Sequence, residues 1–217
     1  MRKERERLVH LTLTNKTKSD KNLIMMTFIG QTQHLETMLI EQILPRYDQR
    51  EFHQIQIRGN QTEVYETVRA LDFSDSFLIR TLFRLRGLPA TLRSVDDLLH
   101  AGFVLVDEQP GQEFVLGLIG KFWAPTAKLE KVDALRYREF NQKGYAKVAW
   151  NFAVSKISHG SVKVSTETRI MCMDDSSRKR FRLYWSLVGP FSGLTRREML
   201  RCAKRYTDSR RDDLELG

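Results

Sequence analysis

The chain has 217 residues, 41% of them hydrophobic and 29% charged, and a formal net charge of +9. That is enough chain for one well-buried domain, or one domain with an appendage, and it reads as a soluble globular protein. The charge is concentrated: between Ser176 and Arg211 eleven Lys or Arg stand against Glu198 and Asp208, so this segment alone carries +9. A basic helix flank of this kind attracts anionic surfaces or is simply solvated.

Residues 1–21 are dense in Arg, Lys and Thr without periodicity and read as a disordered tail. The apolar run Leu23–Ile29 is far below the roughly 20 residues a bilayer-spanning helix needs, and no small-residue cleavage site follows it. Neither a membrane span nor a secretory signal is expected. Leu35, Met38, Leu39 and Ile43 mark a short amphipathic helix closed by Pro45, expected to lie against the C-terminal helix. Alternation with Ile55 and Ile57 predicts a strand over 50–58. Asn60 and Glu63 form a capping-box pattern that opens a helix carrying Val64, Val68 and Leu71 on one face. A second short helix follows on Phe77, Leu78, Leu82, Phe83 and Leu85, ended by Gly87 and Pro89, and Ser94 with Asp97 caps another turn or two.

From Phe103 the period becomes two. Phe103–Asp107 and Glu113–Phe122 flank Gln109-Pro110-Gly111-Gln112, where Pro and Gly at the central positions specify a type II turn. Gly117 and Gly120 inside the second strand suggest bulges or bends. A short strand is expected near Lys128–Lys131 and a helical turn near Asp133–Phe140. The clearest hairpin joins strands over 145–157 and 162–173. An odd-length loop pairs Val154 with Thr166, Phe152 with Thr168, Trp150 with Ile170 and Val148 with Cys172, giving one apolar face and leaving Lys147, Asn151, Lys163, Glu167 and Arg169 on the other.

Residues 175–206 then read as one long amphipathic helix. Phe181, Tyr184, Trp185, Val188, Thr195, Met199, Cys202, Ala203 and Tyr206 share an apolar arc. Arg178, Lys179, Arg182, Arg196, Arg197, Arg201 and Lys204 lie on a cationic one, and Leu183, Leu187, Pro190 and Leu194 form a second apolar stripe expected to be buried. Because the main arc keeps its phase across Gly189-Pro190, a kink is expected there rather than an end. The domain plan is an N-terminal extension over 1–45, a folded domain over 46–207 and a disordered tail over 208–217.

The order is strand, two short helices, antiparallel strands, then a long C-terminal helix. It implies an α+β, helix-grip architecture: a curved antiparallel β-sheet wrapped around that helix. Three segments carry a resemblance to bacterial members of the START-like superfamily, also called SRPBCC, which includes the birch-pollen-allergen and polyketide cyclase/dehydrase-like proteins. They are Gly144-Tyr145-Ala146-Lys147-Val148-Ala149-Trp150-Asn151-Phe152, Ser165-Thr166-Glu167-Thr168-Arg169, and Arg182-Leu183-Tyr184-Trp185 through Gly189-Pro190-Phe191-Ser192. The resemblance covers about residues 46–206, leaves residues 1–37 outside, and carries no catalytic signature. It implies a cavity between sheet and helix for an apolar or amphipathic small molecule.

Chemistry-bearing motifs are sparse. There is no nucleophile elbow and no phosphate-cradling glycine loop, and His10, His34, His53, His100 and His159 show no metal-ligand spacing, so neither cofactor nor metal is expected. Gly117 and Gly120 read as strand glycines in preference to a nucleic-acid GXXG loop. Glu167, Arg169 and Asn151 read as a cross-strand polar ladder. Cys172 and Cys202 read as buried free thiols of a reducing, cytoplasmic compartment. The expected cavity lining is Phe122, Val148, Trp150, Phe152, Thr166, Thr168, Phe181, Tyr184, Trp185 and Val188, with Tyr184, Trp150 and Trp185 supplying polar tips. Three functions stay open: a non-catalytic binder of an apolar small molecule or lipid, a cyclase- or dehydratase-type enzyme on a hydrophobic substrate, and a basic helix face that meets an anionic membrane or nucleic acid through Arg197, Arg201 and Lys204.

Overall fold

The computed structural model describes residues 37–73, 76, 77, 79–81, 92–125 and 127–215. The chain divides into two compact units, Met1–Thr37 and Met38–Gly217, and the architecture below is that of the second. The basic tail, the run Leu23–Ile29 and most of the helix expected after Phe77 lie outside the described residues.

Helix α1 (Leu39–Ile43) precedes strand β1 (Gln49–Arg58), and helices α2 (Gln61–Arg69) and α3 (Val95–His100) follow it. Both N-caps form where expected, the Asn60 cap with only one half of its box. Asn60 accepts from the Glu63 amide at 2.8 Å, and Ser94 and Asp97 make a reciprocal capping box. Strands β2 (Val104–Gln109), β3 (Glu113–Gly120) and β4 (Leu129–Glu130), helix α4 (Ala134–Glu139), strands β5 (Ala146–Ser158) and β6 (Ser161–Cys172) and helix α5 (Asp175–Glu215) complete the order. The strands form one antiparallel sheet in the order β1-β6-β5-β3-β2, with β4 paired to β3. With α5 laid on that sheet, the fold is an α+β helix-grip.

Three expectations need correction in the sheet. The β5–β6 hairpin turns on only two residues, His159 and Gly160, with Ser158 opposite Ser161. A bulge between Lys156 and Ser158 then restores the parity that an odd loop was meant to supply. The register is accordingly Val154 with Val164, Phe152 with Thr166, Trp150 with Thr168 and Val148 with Ile170. A shift of two residues preserves which face each side chain occupies, so the apolar face is the one expected. In the β2–β3 hairpin the turn has Gly111 at φ 79 and a Gln112 amide bonded to Gln109, but the bulge lies in β2, between Leu105 and Asp107. Gly117 serves contact instead: a Cβ there would stand 2.7 Å from the Tyr137 ring and 2.6 Å from Val106.

The sheet is buried on both sides. Every residue of β3 is buried. Phe114, Leu116, Trp150, Phe152, Val154, Val162 and Val164 point into the main core with α2, α3 and Met199, Leu200 and Ala203 of α5. On the opposite face Val115, Ile119 and Ala149 pack with Ile40, Ile43 and Leu44 of the α1 segment and Tyr137 of α4. Helix α1 therefore covers the back of the sheet, not the C-terminal helix. The second stripe of α5 is left uncovered, with Leu183 72% and Leu187 69% exposed. Helix α5 also runs unbroken through Pro190 to Glu215, past the expected end at Tyr206.

The polar ladder on the back of the sheet forms, and it is buried. Glu113 accepts from the amides of Leu39 (2.7 Å) and Ile40 (3.2 Å), and from the Asn151 side chain at 2.6 Å. The Asn151 oxygen takes the Glu167 amide at 2.7 Å. Glu167 is held by Arg169 at 2.6 Å and bidentately by Arg50, and Arg169 donates to the Leu44 carbonyl. Burial opposes ionisation of Glu167, but the hydrogen bonds and charges of Arg50 and Arg169 outweigh it and lower its pKa.

Two outcomes follow from this packing. Glu167→Gln removes one partner of a buried pair and should cost about 3–5 kcal/mol at neutral pH. Because the folded pKa lies below the unfolded value of about 4.3, that stabilisation is full above pH ~4.3 and lost as pH falls through the folded value. Urea midpoints of wild type and variant should therefore converge in acid, and a gap independent of pH would assign the loss to packing. Gly117→Ala should destabilise by about 1–3 kcal/mol through overpacking against Tyr137, read as a lowered melting temperature.

Candidate functional site

Between the apolar face of the sheet and the first half of α5 lies a cavity of about 130 Å³. Its sheet side is built by Leu118 of β3, Val148 and Trp150 of β5 and Thr168 and Ile170 of β6, all positions that alternation directs to this face. Phe181, Tyr184, Trp185, Ser192, Thr195 and Arg196 of α5 form the helix side, at spacings of three, four and seven that put them on one arc. Leu92, Leu98, Ala101, Phe103, Phe122, Ala127 and Leu129 complete the described wall.

Of the ten expected lining residues, Phe122, Val148, Trp150, Thr168, Phe181, Tyr184 and Trp185 meet at this cavity. Phe152, Thr166 and Val188 are not part of its wall. Phe152 is packed on Phe114, with ring centroids 5.3 Å apart, and on Trp150. Thr166 is fully buried between strands, accepting from Trp150 Nε1 and donating to the Asn151 carbonyl, both at 2.7 Å. Trp150 consequently spends its indole N–H on the sheet and offers the cavity only its ring. Around the mouth of α5, Phe181 stacks on Trp185 at 5.5 Å and meets Phe122 edge-on at 6.3 Å.

Arg196 is the departure from the expected cationic arc. It is only 7% exposed and forms part of the cavity wall. Its Nε donates to Thr168 Oγ1 at 2.6 Å, its Nη1 to Ser192 Oγ at 2.5 Å and to the Ser192 carbonyl at 3.2 Å, and its guanidinium lies 4.7 Å from the Trp150 ring centroid. The helical wheel carries a signal for this placement: at 100° per residue Arg196 falls about 20° from Trp185. Its charge masked that signal.

The other candidate cations stay outside the cavity. Arg197 is exposed, Arg201 pairs with Glu198 at 3.5 Å, and Lys204 reaches the Gln56 carbonyl at 3.5 Å and Asp208 at 3.8 Å. An acid–imidazole pair missed in the sequence, Glu51 and His53 at 2.9 Å, faces Gly193 of α5 but does not line the cavity. Its Glu-x-His spacing on a strand was the available sign. Both cysteines are buried, and burial pushes the Cys172 thiol up to about 12, far from reactive thiolate chemistry at neutral pH. Among the described residues no group of three or more metal-ligating side chains occurs, and no helix is long and apolar enough to cross a membrane.

No protein-family model and no curated protein matches the chain. Among solved structures, the oxygenase of carbazole 1,9a-dioxygenase in its ferredoxin complex aligns at 11% identity and a TM-score of 0.34, over 76% of this chain and 48% of the oxygenase. The chain thus spans about half the length of that protein. The ZhuI aromatase/cyclase from Streptomyces sp. R1128 aligns at 10% identity and a TM-score of 0.27, over 72% of this chain and 94% of the cyclase. Superpositions this loose assign neither family nor reaction, so function has to be argued from the cavity.

Trp150 is core, cavity wall and guanidinium platform at once. Trp150→Ala should cost about 3–5 kcal/mol, whereas half-buried Tyr184→Ala should cost less while opening the cavity. Chemical denaturation of both variants, with ligand binding per folded molecule, separates the two roles.

Proposed function

We propose that this chain is a START-like, helix-grip protein that binds or carries an apolar or amphipathic small molecule between its sheet and α5, without converting it. The observation that carries the reading is the cavity itself: about 130 Å³, walled by Phe103, Phe122, Trp150, Phe181, Tyr184 and Trp185, with polar groups at few points. Wall composition of this kind is that of small-molecule sites, where apolar surface supplies affinity and sparse polar groups set orientation. The size narrows the occupant. A dry cavity of about 150 Å³ lined by apolar side chains accepts benzene, so this one matches a single ring and not a long acyl chain or fused polycycle. Titration with toluene, followed by thermal unfolding, tests it. Wild type should be stabilised, by about 2.7 kcal/mol at 100-fold over Kd, and Leu118→Phe, which fills the cavity from β3, should not. Equal responses, or none, would overturn the reading.

A second property is favoured by the exposed stripe of α5. Leu183 and Leu187 stand out from the surface, with exposed Lys179 and Arg182 on one side and Arg197 and Arg201 on the other. Apolar centre and cationic ends suit an anionic bilayer, where each Lys or Arg contributes about 1 kcal/mol. Co-sedimentation with phosphatidylserine vesicles should exceed that with phosphatidylcholine, fall with salt, and drop in Leu183→Ser/Leu187→Ser and in Arg197→Glu/Arg201→Glu. Equal binding to both vesicle types, or none, would leave this face solvated.

A further inference from the structure

We propose that Trp185 is a gate: its indole swings off Phe181 along the glycine side of α5 and joins the cavity to a cleft outside it, giving a small apolar molecule its way in and out. The inference rests on the cavity being a ligand site and adds how that site is reached. It starts from the place of the ring. A surface cleft of about 380 Å³ runs between α5 and β1, with Ser186, Gly189, Pro190, Gly193 and Arg197 on the helix side and Arg50 and Glu51 on the strand side. Trp185 is the one described residue that lines both this cleft and the cavity. The ring therefore stands between the two hollows.

The two tryptophans of the cavity wall differ in what fixes them. Trp150 is 4% exposed, donates its N–H to Thr166 Oγ1 at 2.7 Å and carries the Arg196 guanidinium 4.7 Å from its ring centroid. Trp185 is half-buried, and its N–H has no acceptor among the described residues. Its ring is stacked on Phe181, with centroids 5.5 Å apart, and is otherwise held by apolar packing. A hydrogen bond fixes direction, whereas stacked rings can slide and tilt. The helix beside the ring is shaped for such movement. A Cβ on Gly189 would stand 3.1 Å from Trp185 Nε1 and 3.2 Å from Cε2, so any side chain there would crowd the indole edge. The backbone at Gly189 needs no positive φ, so the glycine answers the ring. Next to it, Pro190 offers no N–H to the Ser186 carbonyl one turn back, and α5 lacks a rung at the turn that follows the ring. An unanchored ring, a bare helix side and a missing rung meet at one point of the wall.

The full chain labelled with 5-fluorotryptophan tests this by 19F NMR, with Trp123, Trp150 and Trp185 assigned from single Trp→Phe variants. In relaxation dispersion Trp185 should show exchange on the microsecond-to-millisecond timescale of gating motions, and Trp150 none. Toluene association and dissociation rates, from NMR line shapes, give the second readout. Trp185→Ala should raise the association rate at least tenfold, whereas Leu118→Ala, which enlarges the cavity from β3, should change it less than threefold. Loss of wall contact alone would act on dissociation. Should Trp185→Ala fail to fold, Trp185→Leu keeps an apolar side chain and should raise association at least threefold. A Trp185 as rigid as Trp150, or an unchanged association rate in the Trp185 variant, would overturn the gate and leave the cavity reading standing. Failure of toluene to bind wild type would overturn both.

Discussion

The structure depends on a run of buried polar groups behind the sheet. Glu113, Asn151, Glu167 and Arg169 lie on three adjacent strands, each almost wholly buried, and each is bonded to the next or to its neighbour's backbone. Charges taken out of water cost several kcal/mol unless paired and hydrogen-bonded. Here the pairing is completed by the short helix in front of them: the Glu113 carboxylate receives the first amides of α1, and Arg169 donates to the Leu44 carbonyl just past its end. Helix and ladder therefore need one another. A five-residue helix has little stability of its own, and the ladder without it would face solvent on one side and lose its partners.

Sealing the back of the sheet has a consequence for the front. With one face closed by α1 and α4, the sheet is a supported platform, and the apolar face is left to α2, α3 and α5. The pattern along β6 shows where that face stops being pure core. Val162 and Val164 are aliphatic and Ile170 and Cys172 are again apolar, but Thr166 and Thr168 interrupt the inward series. Each threonine answers a polar group that would otherwise be stranded: Thr166 takes the indole N–H of Trp150, and Thr168 takes Arg196 Nε. The cavity begins at this interruption, where filling with aliphatic side chains gives way to aromatic walls and a fixed cation.

Helix α5 joins three environments along one continuous rod. Its inner arc supplies the cavity and then, from Met199 onward, the main core. Near its middle it comes close to β1, where a side chain on Gly193 would meet the Glu51 carboxylate and require that side chain to move. The outer arc carries Leu183 and Leu187 into solvent. That the helix passes Pro190 unbroken follows from this anchoring: packing on both sides of the proline outweighs the loss of one backbone hydrogen bond.

Much of the architecture was legible in the sequence because it rests on local periodicity and local hydrogen bonds. Alternation in β5 and β6 separated the two faces of the sheet, the 3.6-residue period of 181–206 identified the C-terminal helix and its inner arc, and Asn60 and Ser94 marked their helices through side chains that cap within four residues. Six of the cavity residues, Val148, Trp150, Thr168, Phe181, Tyr184 and Trp185, were reachable by intersecting those two patterns. What only the tertiary structure decided depends on contacts distant in sequence. The register of the β5–β6 hairpin turned on a bulge that preserves parity and so leaves no trace in alternation. The covering of the back face depended on α1 meeting Glu113, 73 and 74 residues away. Leu183 and Arg196 exchanged their expected places, the leucine exposed and the arginine buried. Hydropathy assigns a residue by its own transfer energy, whereas burial of Arg196 is compensated by Thr168, Ser192 and Trp150, partners that only the fold brings within reach.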